Sequence, residues 1–181
     1  MKFSQLAPAL VPLLASQSNA EAGPSYTLKA VQPGTPFHGQ PINAHAGTFW
    51  IGEPGAAVCG MPPIPCPDFE TKVLATGDHL DTVATPGQAI FVLPNGALAY
   101  TPPGSPFPPN AFTSPLQLVP TPFGPGYTFL GGGFSACPTP YGFQVFAINS
   151  PGGPFELAEG CIPFDAVALP PINPVPVDVY V

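Results

Sequence analysis

Hydrophobic residues recur at every second position wherever this chain shows a regular pattern, and glycine or proline interrupts nearly every window. Period two is the spacing of a strand with one buried face, whereas a helix repeats every three to four residues. The pattern therefore predicts an all-β protein without a helix after the N-terminal segment. The predicted strands are Tyr26–Val31, Ile42–His45, Thr48–Ile51, Lys72–Ala75, Ala89–Leu93, Ala97–Thr101, Tyr127–Leu130, Phe134–Cys137 and Phe143–Ile148, followed by a tail in which Val175, Val177, Val179 and Val181 share one face.

Two hairpins stand out in this pattern. "PINAHAGTFWIG" (residues 41–52) predicts two strands that fold back over Ala46-Gly47. "FVLPNGALAY" (91–100) predicts a second hairpin, because Asn95-Gly96 tolerates the positive φ angles of a type I′ turn. The segment 101–115, "TPPGSPFPPNAFTSP", offers few backbone donors because proline has no N–H, so we expect a proline-rich surface loop there.

A weak internal repeat bears on the fold. A glycine followed by a short apolar strand occurs as "GTFWIG" at 47, "GALAYT" at 96 and "GGFSAC" at 132. The spacings are uneven but near the length of one β-trefoil unit. The predicted fold is a single compact disulfide-stapled β-barrel, β-trefoil-like, and a two-sheet β-sandwich explains the strands nearly as well.

The N-terminus has the pattern of a secretory signal. One lysine precedes an apolar run from Leu6 to Ala15, and Ser18-Asn19-Ala20 fits the small-residue cleavage rule. We therefore expect residues 1–20 to be a signal peptide and residues 21–181 a single secreted all-β domain. Later segments lack the uninterrupted apolar length of a membrane span, and "PPINPVPVDVYV" does not fit a lipid-anchor signal.

Charge is scarce and acidic. Charged residues make up 7% of the chain, against roughly 25% in ordinary domains, and the net charge is -7. The only cations besides histidine are Lys2, Lys29 and Lys72, and there is no arginine to grip phosphate. Nucleic-acid and nucleotide partners are therefore not expected. Proline and glycine are abundant, but with 45% hydrophobic residues and fourteen Phe the chain can form a core, so we interpret the prolines as loop residues.

Four cysteines follow the predicted signal, an even number that favours disulfides in an exported protein. Three connectivities are open. Cys59 and Cys66 enclose the short loop "GMPPIP", which favours their pairing and leaves Cys137 for Cys161. A cysteine-based zinc site is not expected, since neither C-x-x-C nor close Cys/His pairs occur.

Motifs for catalysis and cofactors are weak. No G-x-S-x-G or phosphate-binding glycine pattern occurs, and the close acid pairs Asp68/Glu70, Asp78/Asp81 and Glu156/Glu159 lie in turn-like contexts. Asp165 is expected to cap a turn beside Cys161. The three histidines, His38, His45 and His79, lack metal-ligand spacing. We expect no enzyme activity, no metal and no cofactor; a glycoside hydrolase is the remaining catalytic alternative.

Trp50 is the candidate ligand-binding residue. It is the only tryptophan, and His45 lies on the neighbouring predicted strand. Period two puts Phe49 and Ile51 on one face of the strand and Thr48 and Trp50 on the other. Packing in the fold is the first interpretation of Trp50, and a stacking platform for carbohydrate is the second.

The sequence resembles the fungal PhiA-type cell-wall proteins, small secreted proteins often described as IgE-binding or antigenic. The matching segments are "PINAHAGTFWIG", "CGMPPIPC", "GQAIFVLPNGALAYT", "GGGFSACP", "FQVFA" and "CIPFDA", between Tyr26 and Ala168. The resemblance implies a non-enzymatic structural protein of the fungal cell wall or extracellular matrix, linked to conidiation. Expected partners are wall polysaccharide or other wall proteins, and the alternative function is a carbohydrate-binding module.

Overall fold

The computed structural model describes residues 24–60, 64–66, 70–113, 115–122 and 124–181. All helical or extended elements assigned in these residues are β-strands, so the predicted all-β class is confirmed. The predicted signal peptide, residues 1–20, lies outside the described residues. Across the described ranges there is also no helix of the length and hydropathy that crossing a membrane requires.

The strands are short and irregularly spaced, as the many prolines and glycines require. They are β1 (Ser25–Val31), β2 (Ile42–His45), β3 (Thr48–Ile51), β4 (Ala57–Cys59), β5 (Ile64–Pro65), β6 (Lys72–Leu74), β7 (Ile90–Val92), β8 (Leu98–Tyr100), β9 (Leu116–Thr121), β10 (Gly124–Phe129), β11 (Phe134–Thr139), β12 (Gly142–Ala147), β13 (Asn149–Ser150), β14 (Gly153–Pro154), β15 (Ile162–Leu169) and β16 (Val179–Tyr180).

One large antiparallel sheet organises the fold. Its main order is β6-β1-β15-β11-β12-β3-β8-β7, with β2 paired to β3, β10 to β15 and β9 to β10. Isolated bridges from Val73 to Leu80 and from His79 to Ala89 connect the regions of the two end strands. The strand pairings in the described ranges nevertheless form no closed barrel. The choice between a β-trefoil-like barrel and a sandwich therefore stays a prediction.

Aromatic rings fill the core on the inner face of this sheet. Tyr127 stacks on Phe134 with ring centroids 5.6 Å apart, and Phe37 meets Phe143 and Phe164 edge-on. Such offset and edge-to-face pairs contribute packing beyond their buried area. In β3 the inner residues are Phe49 and Ile51, both fully buried, as period two predicts.

Two details of the sequence prediction are wrong. Asp165 does not cap a turn: it is an exposed residue inside β15, opposite Val31 of β1. The β7–β8 hairpin exists, but its turn is not type I′, because Asn95 has no positive φ and only Gly96 does. Pro94 is the reason, since its ring fixes φ near -65° at the second position of a turn closed by the Gly96 N–H and the Leu93 carbonyl.

The C-terminal segment is fixed to the rest of the fold by a buried glutamine. Gln88 is fully buried; its Oε1 accepts from Tyr180 N (2.6 Å) and its Nε2 donates to Tyr180 O (2.9 Å) and Thr101 O (3.0 Å). The side-chain amide of Gln88 thus satisfies the backbone N–H and carbonyl of Tyr180 as a neighbouring strand would. Tyr180, in β16, also pairs with Ala57 of the neighbouring strand β4. Its phenol oxygen accepts a hydrogen bond from Lys72 N.

Lys72 is a buried lysine held by the same segment. Its side chain is 3% exposed, and Nζ donates to the carbonyl oxygens of Asn173 and Val175. Desolvation lowers the pKa of Lys72 below its ordinary 10.5, and the carboxylates of Asp81 and Glu70 oppose that shift. A cation is costly to bury, so these carbonyl partners stabilise the docked tail.

Gln88→Leu should destabilise the protein by about 2–4 kcal/mol, because Tyr180 and Thr101 would keep buried polar atoms without partners. Urea unfolding followed by the fluorescence of Trp50 measures this. Gln117→Leu is the matched control, since Gln117 is exposed on β9. Equal losses in the two variants would contradict the assigned role of Gln88.

Lys72 predicts a pH dependence of known sign. Because the folded state releases the Lys72 proton at lower pH than the unfolded chain does, the unfolded state binds more protons between the lowered pKa and 10.5. The unfolding free energy of the wild type should therefore rise with pH in that window relative to Lys72→Met. Urea titrations from pH 7 to pH 10 test this, with the partly buried Lys29→Met as control. A parallel pH profile in Lys72→Met would show the inference to be wrong.

Candidate functional site around Trp50

Trp50 lies in the middle of the large sheet, on its outer face. The β2–β3 hairpin turns at Ala46 and Gly47, which have φ angles of 48° and 80°. In this register Trp50 is directly opposite Asn43 of β2 on one side and Gln144 of β12 on the other. The aromatic side chain therefore has an amide side chain as a cross-strand neighbour on each flank.

The indole ring is held in place and remains partly exposed. Its Nε1 donates to the hydroxyl of Thr48 at 2.7 Å, two residues earlier on the same face of β3. This bond requires the ring to lean along the strand toward Thr48, and the side chain keeps intermediate exposure. Trp50 is thus neither a core residue nor a freely rotating surface residue. An oriented ring of this kind is suited to stacking.

Asn43 and His45 fix the chain beside the hairpin. Asn43 Nδ2 donates to the carbonyl oxygen of Glu53 at 3.0 Å, and His45 Nδ1 lies 3.2 Å from the carbonyl oxygen of Pro54. A carbonyl only accepts, so this contact requires the proton of His45 on Nδ1. Asn43 is 7% exposed, and its Oδ1 has no hydrogen-bond partner among the described residues. His45 therefore supports the segment that follows β3, and it belongs to no metal-ligand cluster among the described residues.

The turn of this hairpin is coupled to the C-terminal segment. Ala46 N donates to Val181 O at 3.0 Å, and Gly47 N donates to the phenol oxygen of Tyr100, which in turn donates to Val181 O. Burial raises the pKa of Tyr100, while the hydrogen bond from Gly47 opposes that shift, so the phenol is protonated at neutral pH. The position of Trp50 thus depends on the docked tail.

The Cys137–Cys161 disulfide begins on the same face of the large sheet as Trp50, because Cys137, Gln144 and Trp50 are successive cross-strand partners. Cys59, the last residue of β4, is joined to Cys66, which follows β5, and Cys137 of β11 is joined to Cys161, which precedes β15. These are the pairs that the sequence predicts. Cys137 is opposite Gln144 in the β11–β12 register, so the second bridge stabilises the strand next to the one that flanks Trp50.

The remaining candidate acids do not converge. Glu156 and Glu159 are exposed, Asp81 is 5% exposed, and Asp68 lies outside the described residues. Among the described acids, Asp78 alone is in direct contact with a titratable side chain, as its Oδ1 lies 2.9 Å from His79 Nδ1. Desolvation acts to raise the pKa of Asp78. Hydrogen bonds from Thr76 and His79 outweigh desolvation, so the pKa of Asp78 is lowered. The described residues contain no group of three His, Cys, Asp or Glu able to hold a metal ion.

Comparison with known proteins identifies the family. A family model described as PhiA-like secreted protein matches residues 26–179. The chain belongs to the PhiA-like secreted protein family. This confirms the resemblance carried by the sequence motifs, and the protein is secreted. Neither the curated proteins nor the solved structures contain a significant match.

Sequence patterns give only part of this face. Alternation in β3 places Trp50 and Thr48 together, but the flanking role of Gln144 depends on the pairing of β12 with β3, about ninety residues apart in the chain. The glycine at position 142 is the one local sign in the sequence that β12 and β3 approach each other closely. Gly142, at the start of β12, has a φ of 139°, and a Cβ there would lie 2.9 Å from the carbonyl oxygen of Ile51.

Gly142→Ala should therefore separate β12 from β3. We expect a loss of about 2 kcal/mol in unfolding free energy and a shift of the Trp50 emission to longer wavelength, because the indole would lose its Gln144 flank. Gly152→Ala is the control, since its nearest neighbour would be Ser150 Oγ at 3.9 Å. Unchanged fluorescence and stability in Gly142→Ala would show that close approach of these strands is not required.

Proposed function

We propose that the protein is a non-enzymatic structural component of the fungal cell wall or extracellular matrix, with a role in asexual development. Membership of a secreted family supports the extracellular site. The absence of an assigned enzymatic activity in the PhiA-type family supports a structural role, and the wall and conidiation parts of the proposal come from the same resemblance. We also propose that residues 21–181 form a single domain.

The surface chemistry supports retention in a matrix. With a charged fraction of 7%, the exterior consists largely of amides, hydroxyls, backbone and proline. Such a surface has little charge repulsion to keep molecules apart, and its interactions change little with pH. Wall polysaccharide and other wall proteins, both hydrogen-bonding polymers, are the proposed partners.

A second candidate function is carbohydrate binding through Trp50. The observation that favours it is the oriented, partly exposed indole between Asn43 and Gln144. Aromatic rings stack on apolar faces, while neighbouring amides donate to and accept from hydroxyl groups. A glycoside hydrolase is the least supported alternative, because the described carboxylates do not form a facing pair near Trp50.

Wall fractionation tests the structural proposal. Cells expressing the full chain with an epitope tag are separated into culture medium, salt-washed wall and detergent-extracted wall. We expect the protein in the washed wall fraction. Recovery in the medium alone, under conditions that retain a known wall protein, would contradict the proposal.

Trp50→Ala tests the carbohydrate-binding candidate. Removal of the indole should lower retention on insoluble β-1,3-glucan or chitin by about tenfold or more, as for a central aromatic anchor. Tyr141→Ala is the matched control, because Tyr141 is 74% exposed at the β11–β12 turn. Equal retention of wild type and Trp50→Ala, with both folded, would exclude Trp50 as the platform.

A further inference from the structure

A cavity of about 600 Å³ lies between the loop after β6 and the proline-rich segment after β8, and Trp50 is not among its lining residues. The side chains that give it chemical character are Asp78, His79, Ser105, Phe107 and Thr113. None of them belongs to the β2–β3 hairpin or to β12. The volume is within the range of small-molecule sites in proteins.

One wall presents an imidazole–carboxylate pair to solvent. Asp78 Oδ1 and His79 Nδ1 are 2.9 Å apart, and the two side chains are 45% and 44% exposed. Asp78 is ionised at neutral pH because hydrogen bonds from Thr76 and His79 lower its pKa despite desolvation. The carboxylate thus accepts hydrogen bonds, and His79 Nε2, without a partner in the described part of the chain, accepts when neutral and donates when protonated.

The lining of the cavity also includes an aromatic ring. Phe107 is 44% exposed, and its ring makes a T-shaped contact with the ring of the buried Phe91, with centroids 5.8 Å apart and an interplanar angle of 81°. This edge-to-face contact holds the ring while leaving part of it accessible. An exposed phenylalanine supported in this way is a stacking surface rather than a residue left outside the core.

The loop that carries Phe107 is fixed at both ends. Thr101 N donates to the Ala89 carbonyl, and Phe112 and Val92 exchange backbone hydrogen bonds of 2.8 and 2.9 Å. Between these anchors the prolines restrict φ, so the loop loses little conformational freedom on binding. The cavity is therefore largely preorganised.

The side chains that line the cavity indicate which class of ligand it can bind. An anion would meet Asp78 with no lysine or arginine among the described lining residues, and a hydrocarbon would leave His79 Nε2 and the remaining acceptor sites of Asp78 without hydrogen-bond partners. A ligand with one C–H face and several hydroxyl groups can satisfy both the aromatic ring and the carboxylate–imidazole pair. We propose that this cavity binds a pyranose ring of a neutral oligosaccharide, stacked on Phe107 and hydrogen-bonded to Asp78 and His79.

Calorimetric titration of the purified full chain tests the site. The probes are hexasaccharides of β-1,3-linked glucose, β-1,4-linked N-acetylglucosamine and α-linked mannose, which distinguish the source of the sugar. At least one should bind, and Phe107→Ala and Asp78→Asn should each weaken that binding about tenfold or more. Tyr141→Ala should bind as the wild type does.

Trp50→Ala separates this proposal from the carbohydrate-binding role of Trp50. It should retain the binding that Phe107→Ala loses, so failure of one site is visible independently of the other. Asp78→Asn preserves the shape of the side chain and decides the outcome if Phe107→Ala unfolds in a thermal melt. The proposal is overturned if none of the three hexasaccharides binds, or if folded Phe107→Ala and Asp78→Asn bind with wild-type affinity.

Discussion

The two-point hydrogen bond between the Gln88 side chain and the Tyr180 backbone is the interaction on which the rest of the structure depends. It positions a strand of only two residues, β16, which then pairs with β4 and brings the Tyr180 phenol to Lys72 N. One residue further, Val181 O accepts from Ala46 N and from the Tyr100 phenol. The C-terminal segment therefore connects β4, β6 and the turn of the Trp50 hairpin.

This arrangement compensates for a chain with few charges. Within the described ranges, the single charged pair in contact is Asp78 with His79, so ion pairs contribute little to the fold. Side-chain amides and hydroxyls satisfy buried backbone groups instead: Gln88 does so for Tyr180, and Thr71 for Ala44 N at 2.7 Å. Even Lys72 directs its amine to carbonyl oxygens. Buried polar groups satisfied in this way favour one arrangement of the segments over others.

Local pattern explains which elements the sequence could predict. The β2–β3 hairpin follows from alternation and from Ala46-Gly47, both contained in ten residues, and its observed bounds equal the predicted ones. The eight-residue strand β15 was not predicted because the apolar residues Val167 and Leu169 occupy outer positions and obscure its alternation, and because none of its partners β1, β10 and β11 forms a hairpin with it. The same distinction applies to the candidate sites. Alternation in β3 predicts the side of the strand on which Trp50 lies, but it does not predict that Gln144 is its neighbour or that a cavity lies beside Phe107.

The scarcity of charge also limits what either candidate surface can recognise. At Trp50 the neighbours are Thr48, Asn43 and Gln144, which are neutral at any physiological pH. Among the described residues that line the cavity, the only titratable ones of opposite charge type are Asp78 and His79, and they neutralise each other when the imidazole is protonated. Long-range attraction therefore cannot provide the affinity, and short-range stacking and hydrogen bonding must. Those forces distinguish uncharged polymers by shape and hydroxyl geometry, and they persist at high ionic strength, where salt screens charge-based binding.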